Sequence, residues 1–369
     1  MDEGFVLVVR KQKIKISSPA RVCLFGDHQD YLGLPVIACA INRWINLEAV
    51  VNHKDHFRIS LPDIQQERVI LLDQLFEKLA PQDHLASSLR VMRRHGHTID
   101  QGFDVHVKGN IPINAGVSSS SALVVSWIHF LMHVFGGEVK VTAQSIAQYA
   151  YEAEVLEHDS PGGKMDQFTI ASGGTVYIKT GDSFSVTPIH WDPPCMILAE
   201  SGIAKQTIGV LGDLRTRANK AIEEIKTQIP EFKIENATLK DLNGLIELVA
   251  IDLAPIFEAA VRNHHITLAA YKELQKVAPN MSTLGTLLNE HHAILKNKLK
   301  ITLPLIDKLI DGSLRSGAYG AKIVGSGGGG CVVALCSEEN KDRIIKSFTD
   351  NGAKAAYEVR VAAGTKLTE

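Results

Sequence analysis

The sequence predicts an α+β protein made of two domains, and three observations lead to this prediction. The chain has 369 residues, more than a single hydrophobic core usually serves. Its first half alternates short β-branched or aromatic runs, typical of strands, with two helical segments. The stretch from Ile208 to Ser316 carries the long amphipathic spacing of helices instead. Strands and helices in this uneven order favour α+β over a regularly wound parallel sheet.

Two helices and several strands are predicted in the first half. The first helix runs from Ser119 to Phe135 on its apolar spacing, and the second from the capping residue Thr142 to about Glu157. The predicted strands around them are Phe5–Val9, Ile14–Ile16, Ile45–Val51, Phe57–Leu61, Phe103–Val107, Thr175–Lys179, Phe184–Val186 and Met196–Ala199.

The pair Pro193-Pro194 interrupts this last group of strands and is the predicted domain boundary. It divides the chain into residues 1–193 and 194–369. Near the end of the second domain, Ala321–Val324 and Cys331–Cys336 are predicted to be two strands around a glycine-rich loop. A final strand is predicted at Ala355–Val361, so the second domain combines many helices with a small sheet.

The composition is that of an ordinary globular protein without a nucleic-acid or membrane role. The 39 basic and 41 acidic residues give a net charge of -2, which provides no general attraction to nucleic acid or lipid. No stretch reaches the ~20 apolar residues that a membrane span needs, and the acidic start lacks a signal-peptide pattern. The five scattered cysteines indicate free thiols in a reducing compartment. We therefore expect a cytoplasmic protein.

A serine-rich loop precedes the first predicted helix, within Ile111-Pro-Ile-Asn-Ala-Gly-Val-Ser-Ser-Ser-Ser-Ala122. Small residues before a helix expose backbone N–H groups at the positive end of the helix dipole, which suits a polyphosphate. The alternative is a helix cap with redundant serines. The residues of this serine-rich loop are Asn114, Ala115, Gly116, Val117, Ser118, Ser119, Ser120 and Ser121.

A glycine-rich loop, Gly325–Gly330, has the spacing of a dinucleotide-binding fingerprint but the wrong context. That fingerprint opens a helix, whereas Cys331–Cys336 has the pattern of a strand. The alternatives are a plain hairpin and a loop whose backbone approaches a ligand closely. Because so many glycines weaken an ordinary hairpin, we favour a ligand-facing loop, with Gly327 and Gly328 at its centre.

Three polar side chains follow the first strand in an acidic turn, Asp27–Asp30. Asp27, His28 and Asp30 come directly after Gly26 and could accept hydrogen bonds from a polyhydroxylated ligand. An ordinary polar turn is the alternative for this segment taken alone.

Two further carboxylates are candidate functional groups. Glu154 shares a face of the second predicted helix with apolar residues, where a charge needs a partner or a metal ion. The alternative is an edge position that reaches water. Asp166 follows the turn at Gly162-Gly163, which can direct a side chain into a cleft.

Taken in order, these segments resemble the three signature motifs of the GHMP kinases, a family named for galactokinase, homoserine kinase, mevalonate kinase and phosphomevalonate kinase. The stretch from Pro19 to Tyr31, ending Gly-Asp-His-Gln-Asp-Tyr, is similar to the galactokinase signature. Asp166-Gln167-Phe168 is similar to the family's Met-Asp-Gln-Phe segment. The serine-rich and glycine-rich loops match the other two motifs, so the resemblance extends over nearly the whole chain.

The resemblance implies a two-lobed fold with the active site between a mixed α/β nucleotide-binding lobe and a helix-rich lobe with a small antiparallel sheet. It implies an ATP-dependent sugar kinase, with ATP as co-substrate and Mg²⁺ as cofactor, acting as a monomer or homodimer. The implied roles are catalysis for Asp166 and Arg21; sugar binding for Asp27, His28, Asp30 and Gly163; ATP binding for residues 114–121, Gly327 and Gly328; and metal binding for Ser120 and Glu154.

The sequence departs from the galactokinase pattern at several positions. Ala20, Cys23 and Phe25 replace the usual Gly, Asn and Ile, and residues 202–217 contain no tyrosine, although galactokinases usually place a sugar-contacting one there. The substrate thus stays open among galactose, a related aldose, an amino sugar, a uronic acid and a deoxysugar. The segment Pro35–Asn42 also resembles mevalonate kinases, and a sugar sensor without turnover is a further alternative.

Overall fold

The computed structural model of the chain describes residues 13–136, 139–205 and 207–368. Residues 1–12, which include the predicted strand Phe5–Val9, lie outside the described residues. The strands are β1 (Lys13–Phe25), β2 (Val36–Val51), β3 (His56–Leu61), β4 (Gln66–Leu71), β5 (Phe103–Gly109), β6 (Thr175–Lys179), β7 (Ser185–Ile189), β8 (Cys195–Glu200), β9 (Gly320–Val324), β10 (Cys331–Cys336), β11 (Ala355–Val359) and β12 (Lys366–Leu367).

Helices lie between these strands and dominate the second half. They are α1 (His84–Arg94), α2 (Ser119–Phe135), α3 (Ala143–Glu154), α4 (Met165–Ser172), α5 (Thr207–Gln228), α6 (Leu242–Ile246), α7 (Ala254–Leu274), α8 (Met281–Asn297), α9 (Pro304–Arg315) and α10 (Lys341–Asp350). None of the described helices is both long and apolar enough to cross a membrane.

The larger sheet is mixed, with the order β12-β1-β2-β5-β3-β4 and a branch through β6 and β7 at one end of β2. The β3–β5 pair is parallel and the other pairs are antiparallel. The β1–β2 pairing shifts register between Pro19 and Ala20 and again between Cys23 and Phe25. These irregularities lie just before the acidic turn.

Helix α2 is the buried centre of the first half. It contacts β1 and β2 of the larger sheet on one side and α1, α3 and α4 on the other. An element enclosed on all sides must be apolar all round, and Trp127 and Phe130 stack within an aromatic cluster with Phe57 and Phe103. This packing fixes the position of the N-terminus of α2.

The smaller sheet is antiparallel, with the order β11-β8-β10-β9. Helices α9 and α10 pack against it, and α8 packs against β9. The glycine-rich loop connects β9 to β10, which pair as a hairpin. The loop therefore lies between two strands, as the sequence predicts, and does not open a helix.

The structure confirms the α+β prediction and most element positions. The helix predicted from Ser119 to Phe135 has these bounds, whereas the second ends at Glu154, before a separate 3₁₀ turn at Leu156–His158. The last predicted strand, Ala355–Val361, is shorter and ends at Val359. The chain passes from the larger to the smaller sheet between β7 and β8, and β12 returns to pair with β1. The division at residue 193 stays a prediction.

Candidate active site

A small cleft collects the polar ends of several elements. It encloses about 150 Å³ and is bordered by the acidic turn after β1, the start of α2, the end of α3, the start of α4 and the first residues of the glycine-rich loop. Most of the polar candidates from the sequence meet there. Those that line it are Arg21, Asp27, His28, Asp30, Ser120, Ser121, Glu154, Gly163, Asp166 and Gly325.

Arg21 and Asp166 form a two-pronged ion pair in this cleft. Nε of Arg21 donates to Oδ1 of Asp166 at 2.7 Å, and Nη2 donates to Oδ2 at 2.8 Å. Arg21 is buried, while the Asp166 side chain keeps 26% of its surface exposed. Burial opposes ionisation of Asp166, but the Arg21 charge and the hydroxyl of Ser118 hold its pKa below the usual value. Asp166 is therefore a carboxylate at neutral pH.

The serine-rich loop is held against this pair. Arg21 also donates through Nη1 to the carbonyl of Gly116 at 2.6 Å, and Ser118 donates to Oδ2 of Asp166 at 2.5 Å. Ser118 occupies the cap position of α2 in a left-handed conformation, φ 61°, without a side-chain cap bond. Its hydroxyl serves the ion pair and does not cap the helix, which disfavours the cap alternative for this serine.

The glycine-rich loop touches the serine-rich loop through backbone atoms. A Cβ at Gly325 would lie 2.8 Å from the Cα of Gly116, and one at Gly330 would lie 2.7 Å from the carbonyl oxygen of Ala115. Both glycines also have positive φ, so no other residue fits without strain. From this loop, Gly325 and Ser326 line the cleft.

The centre of the glycine-rich loop faces a different neighbour. Gly328 donates its N–H to the carbonyl of Ile301 at 2.8 Å, and a Cβ at Gly327 would lie 2.6 Å from the Cβ of Ile301. Gly327 and Gly328 thus contact the segment before α9, and neither lines the cleft. Nucleotide contact by these two glycines stays a prediction.

Glu154 turns into the cleft at the end of α3. Ser121 donates to its Oε1 at 3.0 Å, and Gln167 donates to its Oε2 at 2.6 Å. Burial, with the nearby charge of Asp166, raises the pKa of Glu154, and the hydroxyl of Ser120 acts against this rise. Because Glu154 is part-buried and both of its oxygens accept hydrogen bonds from neighbouring side chains, the alternative of an unpaired edge position that reaches water is disfavoured.

The acidic turn is shaped by its backbone conformation and held by a hydrogen bond to helix α7. Gly26 has φ 95° and His28 has φ 62°, which reverses the chain after β1. Between the cleft residues, the fully buried Gln29 accepts a hydrogen bond from Thr267 of α7 at 3.1 Å. The second half of the chain therefore holds the turn in place, and His28 and Asp30 line the cleft on either side of Gln29.

Asp30 lies against the turn that precedes α4. Its carboxylate accepts from the N–H of Tyr31 at 3.1 Å, and a Cβ at Gly163 would overlap that carboxylate. Burial raises the pKa of Asp30 to about 6, and the charge of Asp166 adds to the rise. Gly163 therefore belongs with Asp30 in the cleft because it leaves space for the carboxylate.

Lys205 is a cleft residue that the sequence reasoning missed. It lies in the loop after β8, lines the cleft and donates its backbone N–H to the carbonyl of Asn114 at 3.0 Å. Burial lowers the pKa of Lys205, and the Arg21 charge lowers it further, while Asp166 and Glu154 favour its ionised form. A lone lysine in a loop carries no motif, so only its place beside the serine-rich loop identifies it.

Comparison with protein families gives three matches in chain order. Residues 4–49 match the galactokinase galactose-binding signature, residues 83–174 the N-terminal domain of GHMP kinases, and residues 270–354 the C-terminal domain of GHMP kinases. Together these matches span more than half of the chain, and they include the acidic turn, the serine-rich loop, Asp166 and the glycine-rich loop.

Relatives and a solved structure agree with these matches. Mevalonate kinase of Thermococcus sibiricus is 27% identical over 340 residues, covering 89% of this chain and 91% of its own. Galactokinase of Mannheimia succiniciproducens is 26% identical over 369 residues, covering 94% and 91%. The structure of Lactococcus lactis galactokinase complexed with galactose superposes with a TM-score of 0.87 at 22% identity, covering 97% of this chain and 95% of that one, which shows the shared fold. The chain belongs to the GHMP kinase family, as a galactokinase-like member and an ATP-dependent phosphotransferase.

Proposed function

We propose that this protein is a sugar kinase that transfers the γ-phosphoryl group of ATP to a monosaccharide, at the anomeric hydroxyl of galactose or of a related sugar. The observation that carries the proposal is the shared cleft: the Arg21–Asp166 ion pair faces the same small cavity as the acidic turn. Its volume, about 150 Å³, suits an acceptor of monosaccharide size. The galactose-binding signature over residues 4–49 supports the same substrate class.

In this proposal Asp166 and Arg21 serve the reacting atoms. Asp166 faces the acceptor hydroxyl, and its negative charge favours loss of the hydroxyl proton. We assign it this electrostatic role because a carboxylate of lowered pKa is a weak base. Arg21 orients Asp166 and stabilises negative charge on the transferring phosphoryl group. Phosphoryl transfer depends chiefly on positioning and charge stabilisation, and this pair supplies both.

The serine-rich loop, Asn114–Ser121, would cradle the triphosphate at the N-terminus of α2, with Gly327 and Gly328 closing from the second domain. Lys205 binds that loop through its backbone N–H, lines the cleft together with Ser120 and Ser121, and adds a positive charge there. Ser120 and Glu154 would hold Mg²⁺, which neutralises phosphate charge when bound. Their oxygens fit this ion, because Mg²⁺ is usually held by one or two carboxylates together with phosphates and water.

The charges along the cleft favour a neutral acceptor. Among the described residues that line it, the cations are Arg21, already paired with Asp166, and Lys205, beside the serine-rich loop. His28 is neutral, since burial lowers its pKa to about 4. The acceptor side carries the carboxylate of Asp30, which would repel the carboxylate of a uronic acid or of mevalonate, while the carboxylate of Asp27 is paired with Lys322. A neutral or aminated sugar fits better.

A mevalonate-type kinase is the second candidate, supported by the similarity to the Thermococcus sibiricus protein. A sugar sensor without turnover is less well supported, because Arg21, Asp166 and Glu154 are all present in the cleft. For the chain's organisation we keep the division into residues 1–193 and 194–369, with the cleft between the two domains.

The test is an ADP-release assay with Mg·ATP across a panel of acceptors. The panel contains neutral hexoses, deoxyhexoses, amino sugars and uronic acids, together with mevalonate and homoserine. We expect turnover with a neutral or aminated sugar and none with the acids. Turnover only with mevalonate would overturn the sugar assignment, and ATP binding without turnover on any acceptor would favour the sensor.

A further inference from the structure

Lys322 is a fully buried lysine that joins the smaller sheet to the end of β1. It lies on β9, yet its Nζ is 2.6 Å from Oδ2 of Asp27 and donates to the carbonyl of Cys23 at 3.0 Å. That carbonyl lies where the β1–β2 pairing shifts register, between Cys23 and Phe25. One side chain therefore binds both the irregular end of β1 and the first residue of the acidic turn.

The two oxygens of Asp27 have different surroundings. Both oxygens are buried and neither makes a hydrogen bond of regular geometry among the described residues, but Oδ2 lies 2.6 Å from the Lys322 cation, whereas Oδ1 has no such contact. Asp27 is 3% exposed, but it lines the cleft. A buried carboxylate oxygen without a donor is costly, so a hydroxyl that reaches Oδ1 from the cleft would be a stabilising partner.

Other charged and titratable groups around Asp27 do not replace Lys322. His291 of α8 has its Nε2 3.9 Å from Oδ2, and burial lowers its pKa to about 3, so it is neutral. His28 is neutral for the same reason, and burial raises the pKa of the Cys23 thiol well above its usual value. Arg21 is committed to Asp166. Lys322 is thus the cation that compensates Asp27.

We propose that Lys322 is a positioning residue for the acceptor: it occupies Oδ2 of Asp27 and leaves Oδ1 to accept a hydrogen bond from one acceptor hydroxyl. The acceptor's identity rests on the proposed function, whereas the pairing does not. Lys322 lies three positions before Gly325, so the same residue links the acceptor side of the cleft to the glycine-rich loop.

A kinetic test separates positioning from simple packing. Without Lys322, the buried Asp27 loses its cation, its pKa rises, and it becomes protonated at mildly acidic pH. A neutral carboxyl group is the weaker acceptor for a hydroxyl. For Lys322→Met we expect the ratio of variant to wild-type acceptor KM to increase about tenfold from pH 8 to pH 6, while the ATP KM ratio stays flat.

Two further variants identify the group that titrates. Lys322→Arg keeps the charge, so its KM ratio should not change with pH. In Asp27→Asn/Lys322→Met no carboxyl remains, and the pH-dependent part should vanish. Lys298→Met, which removes a half-exposed lysine paired with Glu258, is the matched control for losing a lysine in an ion pair. A ratio for Lys322→Met that is equally raised at all pH values would overturn the proposal and indicate packing alone.

A denaturation experiment tests the pairing without any acceptor. In Lys322→Met the raised pKa of Asp27 favours the protonated folded state, so stability present at low pH is lost as pH rises. The denaturant midpoint of this variant, relative to wild type, should fall from pH 5 to pH 8. Adding Asp27→Asn to Lys322→Met should restore the midpoint. No restoration would contradict the pairing.

The kinetic and denaturation experiments test the proposed function and the inference about Lys322 separately. If wild type phosphorylates no sugar, the proposed function fails while the denaturation arm still decides the pairing. If wild type phosphorylates a sugar and the KM ratio stays flat, the inference about Lys322 fails alone. If Lys322→Met does not fold, the double variant Asp27→Asn/Lys322→Met should fold better, because it no longer contains the unpaired Asp27 charge. If neither variant folds, the proposal is contradicted.

Discussion

The carboxylate of Asp30 lies directly against the backbone of Gly163, and a Cβ at position 163 would overlap it. The two residues belong to different segments that border the cleft, the acidic turn and the turn before α4. Glycine is required here for space, since Gly163 does not have a positive φ.

Gly163→Ala should therefore displace Asp30 and weaken acceptor binding. We expect the acceptor KM to rise about tenfold or more, with the ATP KM changed less than about twofold, because the clash is on the acceptor side. Gly162→Ala is the matched control, since its Cβ would meet only Cγ2 of Val155 at 3.8 Å. Equal kinetics for the two variants would contradict the space requirement.

Gly325→Ala should disturb the contact between the two loops. Its Cβ would lie 2.8 Å from the Cα of Gly116, so the serine-rich loop must move, and we expect a rise of about tenfold in the ATP KM. Gly96→Ala provides the control, because Gly96 also has a positive φ, 84°, but open space around it. Steady-state kinetics with varied ATP concentration measures the ATP KM of both variants and so separates loop displacement from backbone strain. A similar rise of the ATP KM in Gly96→Ala would argue against the loop contact as the cause.

Asp166→Asn should abolish turnover and keep nucleotide binding. We expect kcat to fall about 10³-fold or more, because the carboxylate pairs with Arg21 and, in the proposed function, faces the acceptor, while the Kd for ATP stays within about threefold. Asp159→Asn, at an exposed position with φ 45° that asparagine tolerates, serves as the control. Near-native turnover in Asp166→Asn would remove this residue from the mechanism.

Lys205→Met should reduce both kcat and ATP affinity. Its charge lies beside the serine-rich loop in a partly buried position, where a charge interacts strongly with phosphate. We expect kcat/KM for ATP to fall about 10²-fold, and Lys205→Arg to recover part of it. Lys179→Met removes an exposed lysine at the end of β6 and should leave the kinetics unchanged. A silent Lys205→Met variant would show that the phosphate site is complete without it.

Acceptor binding should depend on pH through Asp30. Burial raises the pKa of Asp30 to about 6, so this group is ionised above pH 6 and protonated below it. Because the carboxylate is the stronger hydrogen-bond acceptor, kcat/KM for the acceptor should rise with pH through about 6. In Asp30→Asn this limb of the profile should disappear at a lower overall rate. An unchanged limb in that variant would assign the titration to another group.

The sequence by itself identified those parts of the fold and site whose signals are local. Helix α2 has its predicted bounds because its apolar spacing lies within one continuous segment. The serine-rich loop, the acidic turn and the glycine-rich loop each place their small or polar residues next to one another along the chain. The strand after the glycine-rich loop could also be predicted, because Cys331–Cys336 is apolar and contains β-branched residues.

Only the tertiary structure decided which residues meet across the cleft. The partner of Arg21 is 145 residues away in the sequence, and the carbonyl that Lys322 contacts is 299 residues away. Lys205 and Lys322 carry no local pattern, because a lysine's effect depends on burial and on the charge opposite it. The sequence determined which chemical groups are present, and the packing of the two sheets determined which of them are paired and which face the cleft, since ion pairing and desolvation act through space and not along the chain.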